Sequence, residues 1–261
     1  MGRTITFIGA SSGCGHSALT TALAAGDTCI ALCRVPSKLD DLRSAYPSTL
    51  LVKHGNAHDV SSVAACLVHN GRIVDAVSTS IGSTIDPKTL KVADPDVCKR
   101  GMAALLDALR QVRRDLGGGA QDRCRGRGRG PLLAIVSTTG IAGAGRDFPL
   151  LLYPLYHYVL AAPHADKKVM ERDVAASAER FVLVRPSLLV DKDKDKDKGK
   201  GKDHCGVRVG VEDVRSGRVE SREIGYAISR AAVGRWMYEN VLARAGEEEH
   251  EFDGKAVSIT W

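Results

Sequence analysis

No CxxC pair and no His/Cys spacing suited to a metal ion occurs among the seven cysteines, at 14, 29, 33, 66, 98, 124 and 205. Their odd number argues against a disulfide framework. No apolar leader opens the chain either: MGRTITFIGASSG runs directly into a strand pattern. These absences point to reduced thiols in a cytosolic or nuclear setting. The first six residues match a myristoylation pattern formally, but Ile5 and Phe7 fit a buried strand. The most apolar stretch, 148–162 (FPLLLYPLYHYVLAA), is too short for a transmembrane span and is interrupted by Pro154. The body of the chain also lacks net charge. Residues 110–130 hold seven Arg against two Asp, residues 191–203 hold six Lys against five Asp, and these two segments supply the whole +6. Elsewhere 24 basic side chains balance 24 acidic ones. A nucleic-acid-binding face is therefore not expected on the folded body. The RGRGRG run has arginines to attract phosphate but no interleaved aromatics for base stacking. The DKDKDKDK tract neutralises itself and reads as a solvated loop. At 261 residues and 44% hydrophobic, the chain is neither a disulfide-held mini-protein nor wholly disordered.

What is present alternates strand and helix. Periodicity predicts strands at 3–8, 28–33, 49–54, 73–79, 131–137, 181–185, near 205–211 and at 256–260. Helices are predicted at 13–25, from Pro36, at 60–69, after an Asp94-Pro95 N-cap, at 166–178 and at 230–244. The run PLLAIVS at 131–137 is almost wholly apolar, as in a central parallel strand. Repeated βα units with short connections imply an α/β protein built on a doubly wound parallel sheet. The expected organisation is one domain over 1–261 with a small C-terminal substrate lobe. Low-complexity surface insertions interrupt it at 117–130 and 191–203.

Between the first strand and first helix stands Gly9-Ala-Ser11-Ser12-Gly13-Cys14-Gly15. In that place Gly9 permits a tight turn, Gly13 lets backbone approach a pyrophosphate, and Gly15 lets helix and strand pack closely. The helix N-terminus offers free N–H groups and a positive dipole end to phosphates. A site for NAD wants an acidic residue at the end of the second strand, where it bonds the ribose diol. This chain has Arg34 and Lys38 there instead, one helical turn apart. They suit a 2′-phosphate, with Ser11 or Ser12 donating hydrogen bonds, so NADP(H) is expected over NAD(H).

From these residues onward the chain resembles the atypical short-chain dehydrogenase/reductase superfamily, a Rossmann-fold group. The resemblance runs through GASSGCG, ALCRVPSKL, GNAHD (55–59), VDAVSTSIG (74–82), VSTTG (136–140) and VRPSLL (184–189). Within the group it is most similar to the NmrA-like and biliverdin/flavin-reductase-like branch. The resemblance implies that Asn56 and Ala57 lie beside the adenine, and that Ser80, Ile81 and Gly82 pass under the cofactor ribose. It makes Ser137 the active-site serine, and Pro186 and Ser187 the segment whose backbone meets the nicotinamide amide. One departure matters. Active members use Tyr-x-x-x-Lys, in which the Lys lowers the Tyr pKa for proton transfer. Here the matching pair is Pro163/Lys167 or His164/Lys168, depending on register, and no tyrosine stands four before either lysine. Three proton sources stay open: His164, a tyrosine from the aromatic segment (Tyr153, Tyr156, Tyr158), or solvent.

The stretch 145–162 follows the Ser137 strand, where ligands bind outside the strands' carboxyl ends. Tyr153, Tyr156 and His157 are the expected pocket wall for a flat apolar or aromatic small molecule. A dimer contact or a membrane-touching patch is the competing use of that stretch. The expected activity is hydride transfer from NADPH to a carbonyl, quinone, flavin or tetrapyrrole-like acceptor by a monomer or homodimer. The alternatives are a non-catalytic NADP(H)-sensing regulator, favoured by the missing tyrosine, and an adaptor using the Arg/Gly loop.

Overall fold

The computed structural model describes residues 2–83, 92–117, 130–143, 145, 147–152, 160–191 and 206–261. The first βα unit follows directly from its sequence. In β1 (Thr4–Ile8), Ile5 and Phe7 face one side of the sheet and Ile8 the other. Thr6 is buried between them, and its hydroxyl donates to the Cys66 carbonyl. A glycine turn then opens α1 (Gly13–Ala24), followed by β2 (Thr28–Cys33), a 3-10 turn (Pro36–Leu39), α2 (Asp40–Ala45), β3 (Leu50–His54) and α3 (Val60–Cys66). The hairpin β4 (Val68–His69) and β5 (Arg72–Ile73) precedes β6 (Ala76–Thr79), α4 (Val97–Asp115), β7 (Leu132–Val136), α5 (Ala161–Ala175) and β8 (Arg180–Pro186). The chain ends with β9 (Leu188–Val190), β10 (Arg208–Asp213), β11 (Val219–Ser221), β12 (Ala227–Ser229), α6 (Arg230–Asn240) and β13 (Lys255–Thr260).

Among the described residues nine strands make one sheet, in the order β11-β10-β13-β8-β7-β6-β1-β2-β3. From β3 to β13 every pairing is parallel, while β10 and β11 extend that edge antiparallel. Helices α1 and α6 cover one face with Leu19, Leu23, Trp236 and Met237. Helices α3, α4 and α5 cover the other with Val63, Leu105, Leu109 and Val174. This is the expected doubly wound Rossmann sheet. The C-terminal lobe is built on it, from the β10–β11 extension and the small parallel pair β9–β12. The five described cysteines are buried free thiols. No helix among the described residues is long and apolar enough to cross a membrane.

Several boundaries differ from expectation, each for a local reason. The helix expected over 60–69 stops at Cys66, because Asn70 (φ 50°) and Gly71 (φ 71°) form a two-residue turn between β4 and β5. Asn-Gly with both residues at positive φ is the preferred tight hairpin. The strand expected from 73 therefore starts at Ala76. Helix α4 begins at Val97 rather than beside Asp94, whose carboxylate instead accepts the Asp96 N–H in a turn. Helix α5 starts at Ala161, five residues earlier than expected. Pro163 sits in its first turn, where a missing N–H costs no intrahelical bond. Arg110, Arg113 and Arg114 of the basic stretch belong to α4, and Arg113 pairs with the buried Glu179. The rest of that segment, 118–129, and 192–203 of the Lys/Asp segment lie outside the described residues.

Candidate functional site

Parallel register brings the candidate residues to one edge of the sheet. Ile8 pairs with Leu32 of β2 and with Thr79 of β6, while Thr79 pairs with Ile135 and Val136 with Val184. The residues just beyond these positions (Gly9, Arg34, Ser80, Ser137 and Pro186) therefore line the carboxyl ends of adjacent strands. Asn56 and Ala57 follow β3 at the same edge. The strand order reverses between β1 and β6, and ligands of open α/β sheets bind at such a switch point.

The glycine loop is closed on itself. Gly9 has φ +85°, and a Cβ there would lie 2.9 Å from the Ser80 carbonyl. A Cβ on Gly15 would come within 2.6 Å of the Gly9 carbonyl oxygen, so helix and strand meet with no room for a side chain. Helix α1 has no acidic residue in its first turn, and its N-cap Ser12 makes no side-chain capping bond. Cys14 is buried in that turn, and burial pushes its thiol up to about 11, which keeps it protonated and unreactive at neutral pH. Arg34 and Lys38 are exposed at the end of β2, and neither has an ion pair among the described residues. The Asn56 side chain accepts the His58 N–H, and Ala57 packs against the core.

At the centre of the edge Lys167 is buried on α5. Its Nζ donates to the carbonyls of Val136 (2.5 Å) and Ile81 (3.0 Å), tying the ends of β7 and β6 together. The same Ile81 carbonyl accepts from the Cys98 thiol, which burial raises to about 11. Gly82 follows, exposed. The hydroxyls of Ser80 and Ser137 are buried without a hydrogen-bond partner among the described residues. Lys168, by contrast, is exposed on the outer face of α5. Of the two lysines, Lys167 is thus the inward one, and the residue four before it is Pro163. His164 is buried one turn before Lys167 on the same helix. Pro186 and Ser187 are engaged with neighbouring strands. The Pro186 carbonyl accepts the Thr139 N–H, while the Ser187 N–H donates to Ile259 and its hydroxyl to Thr260. Tyr153, Tyr156 and His157 lie outside the described residues.

A dinucleotide fits this edge on three counts: a glycine cradle, cations at its far end with no ion pair among the described residues, and buried hydroxyls likewise without partners there. The sequence reading missed several residues around it. Asp166, buried beside Lys167, accepts the N–H groups of Cys98 and Lys99 and so caps α4 from another helix. Arg185 on β8 is buried between Glu171 and Glu212, bonding Glu171 at 2.6 and 3.0 Å and Glu212 at 2.5 Å. Burial alone would disfavour its charge, but the two carboxylates outweigh that and hold the guanidinium firmly protonated. Asp147 is buried nearby, with one oxygen accepting the Gly140 N–H and the other without a partner among the described residues. Burial raises its carboxyl above the usual 3.8. An open cleft of ≈ 400 Å³ lies over this charged cluster, bordered by Ile141, Lys168, Arg172 and Val214 and by none of the glycine-loop residues. Long-range pairs such as these leave no periodic mark in the sequence.

No protein-family model matches the chain. It is 37% identical to Reductase pytE of Aspergillus terreus over 281 residues, spanning 99% of this chain and 98% of that protein. It is 30% identical to Oxidase pynE of Aspergillus niger, spanning 93% and 94% respectively. Among solved structures, a short-chain dehydrogenase/reductase from Veillonella parvula in complex with NADP superposes with a TM-score of 0.66. That match is 13% identical and covers 100% of this chain and 95% of the other.

Proposed function

The chain belongs to the family of Reductase pytE and Oxidase pynE, and from that premise we propose that it is an NADPH-dependent oxidoreductase of the atypical short-chain dehydrogenase/reductase type. The acceptor is a flat small molecule: a carbonyl, quinone, flavin or tetrapyrrole-like compound. The observation that carries this reading is the row of polar groups along the carboxyl edge, from the exposed cations Arg34 and Lys38 to the Ser80 and Ser137 hydroxyls, which are buried without a hydrogen-bond partner among the described residues. Arg34 and Lys38 hold the 2′-phosphate, with Ser11 or Ser12 donating hydrogen bonds to it, and the N-terminus of α1 holds the diphosphate. The names of the two fungal relatives, a reductase and an oxidase, support redox chemistry, and the NADP of the Veillonella protein supports the cofactor.

When bound, the nicotinamide supplies hydride to the acceptor. Ser137 donates its hydroxyl hydrogen bond to the acceptor oxygen or nitrogen on which negative charge develops. Lys167 fixes the Val136 and Ile81 carbonyls at the ends of β7 and β6, and its positive charge would favour the same developing anion. A proton must follow the hydride. With Pro163 where the superfamily places tyrosine, solvent is the source we assign, and His164 is its side-chain competitor. Pro163 also favours a second reading, an NADP(H)-sensing protein of the NmrA-like type that binds without turnover. Following NADPH oxidation against a panel of quinones, flavins, tetrapyrroles and aldehydes separates the two. Turnover with any acceptor supports the enzyme. NADPH binding with every acceptor inert supports the sensor.

A further inference from the structure

Arg230 opens α6, and its surroundings place it against the glycine loop. Ser229 caps the helix by accepting the Ala232 N–H (2.9 Å), and Ser17 of α1 donates to the Ala231 carbonyl (2.8 Å). One turn on, a Cβ at Gly234 would fall 2.4 Å from the Cys14 carbonyl oxygen, so the first turns of α6 and α1 touch through backbone. The Arg230 stem consequently runs beside Gly13, where an added Cβ would sit 3.4 Å from its Cδ and 3.9 Å from its Nε. The guanidinium uses Nη1 to reach Asp191 (2.6 Å), and Nε and Nη2 donate to nothing else among the described residues. The Asp191 side chain is 88% exposed and that of Arg230 38% exposed, so the pair is a solvent-facing tether rather than a buried lock.

We infer that Arg230 is a diphosphate ligand for the dinucleotide, held in place by Asp191 until a stronger anion displaces that carboxylate. The inference rests on the cofactor reading above and adds a residue and a competition to it. A diphosphate seated at the α1 N-terminus lies on the Gly13 side of Arg230, and a guanidinium bonds two phosphate oxygens at once. Asp191 offers a single carboxylate that water already solvates.

The test titrates the full chain with NADPH and with NADH by intrinsic and nicotinamide fluorescence, with thermal melting as a check on folding. Arg230→Met is expected to weaken both nucleotides by the same factor, about tenfold or more for one lost charge-assisted contact. A common factor distinguishes a diphosphate contact from a 2′-phosphate contact, which acts on NADPH alone. Asp191→Asn, at an exposed position, is expected to tighten both by about two- to fivefold, the strength of an exposed ion pair. Unchanged affinity in Arg230→Met, or a loss confined to NADPH, overturns the diphosphate assignment. Unchanged or weaker binding in Asp191→Asn overturns the competition, and this arm decides even where Arg230→Met misfolds. Wild-type protein that binds neither nucleotide overturns the cofactor reading instead.

Discussion

The two ends of the carboxyl edge handle charge in opposite ways. Around β1, β2 and α1 the cations Arg34 and Lys38 stand exposed and unpaired among the described residues, beside a helix end free of acidic side chains. Around β8, α5 and β10 the cation Arg185 is buried and saturated by Glu171 and Glu212. On the function proposed above, the difference separates binding from scaffolding. A cation left in water costs the fold nothing and stays available to an anion. A buried one is stable only with its partners and is closed to other ligands. Lys167 stands between the two regimes, buried like Arg185 but bonded to neutral carbonyls rather than to carboxylates.

The largest expected effect breaks the scaffold side. Arg185→Met leaves the buried Glu171 and partly buried Glu212 carboxylates without their shared cation and is expected to cost about 3–5 kcal/mol of stability, a drop of roughly 10 °C in Tm. A melt within a degree or two of wild type would dissolve the contrast. Next comes Lys167→Met, which removes the lysine's hydrogen bond from the Val136 carbonyl and leaves the Ile81 carbonyl only the weak Cys98 thiol donor. A loss of about 1–3 kcal/mol is expected from chemical denaturation, together with slower NADPH turnover; a stability loss with turnover intact would move Lys167 wholly to the scaffold. On the binding side, Arg34→Asp is expected to weaken NADPH by about 2 kcal/mol while sparing NADH, with no change in melting temperature. An unchanged NADPH/NADH ratio would remove Arg34 from the 2′-phosphate.

The smallest effect concerns Asp147. Its carboxyl is raised by burial, so between the usual 3.8 and the raised value the folded chain holds a proton that the unfolded chain has lost. Stability therefore falls as pH rises through that window and levels off above it. Asp147→Asn is expected to melt higher than wild type at neutral pH, with the gain vanishing below the ordinary carboxylate range. A gain independent of pH would assign the effect to packing instead.

What the sequence made legible was local. The glycine loop, the strand alternation of β1 and β2, and the apolar run of β7 each carry their own turn chemistry or periodicity, and together they imply the sheet. The Asn70-Gly71 hairpin had a strong signal that the longer helical pattern around it obscured. Other features had none to read: Asp166 capping α4, Glu171 and Glu212 on Arg185, and Arg230 against Gly13 join residues far apart in the chain. The inward face of α5 was ambiguous by one residue in sequence, and only the burial of Lys167 with the exposure of Lys168 showed which lysine points inward.

Whether the carboxyl edge is a cofactor site is decided by a crystal structure of the chain grown with NADP⁺. The diphosphate is expected at the N-terminus of α1, the 2′-phosphate against Arg34 and Lys38, and the nicotinamide ring over Ser137 and Lys167. Nucleotide bound elsewhere, or a carboxyl edge that stays empty at saturating NADP⁺, would contradict that assignment.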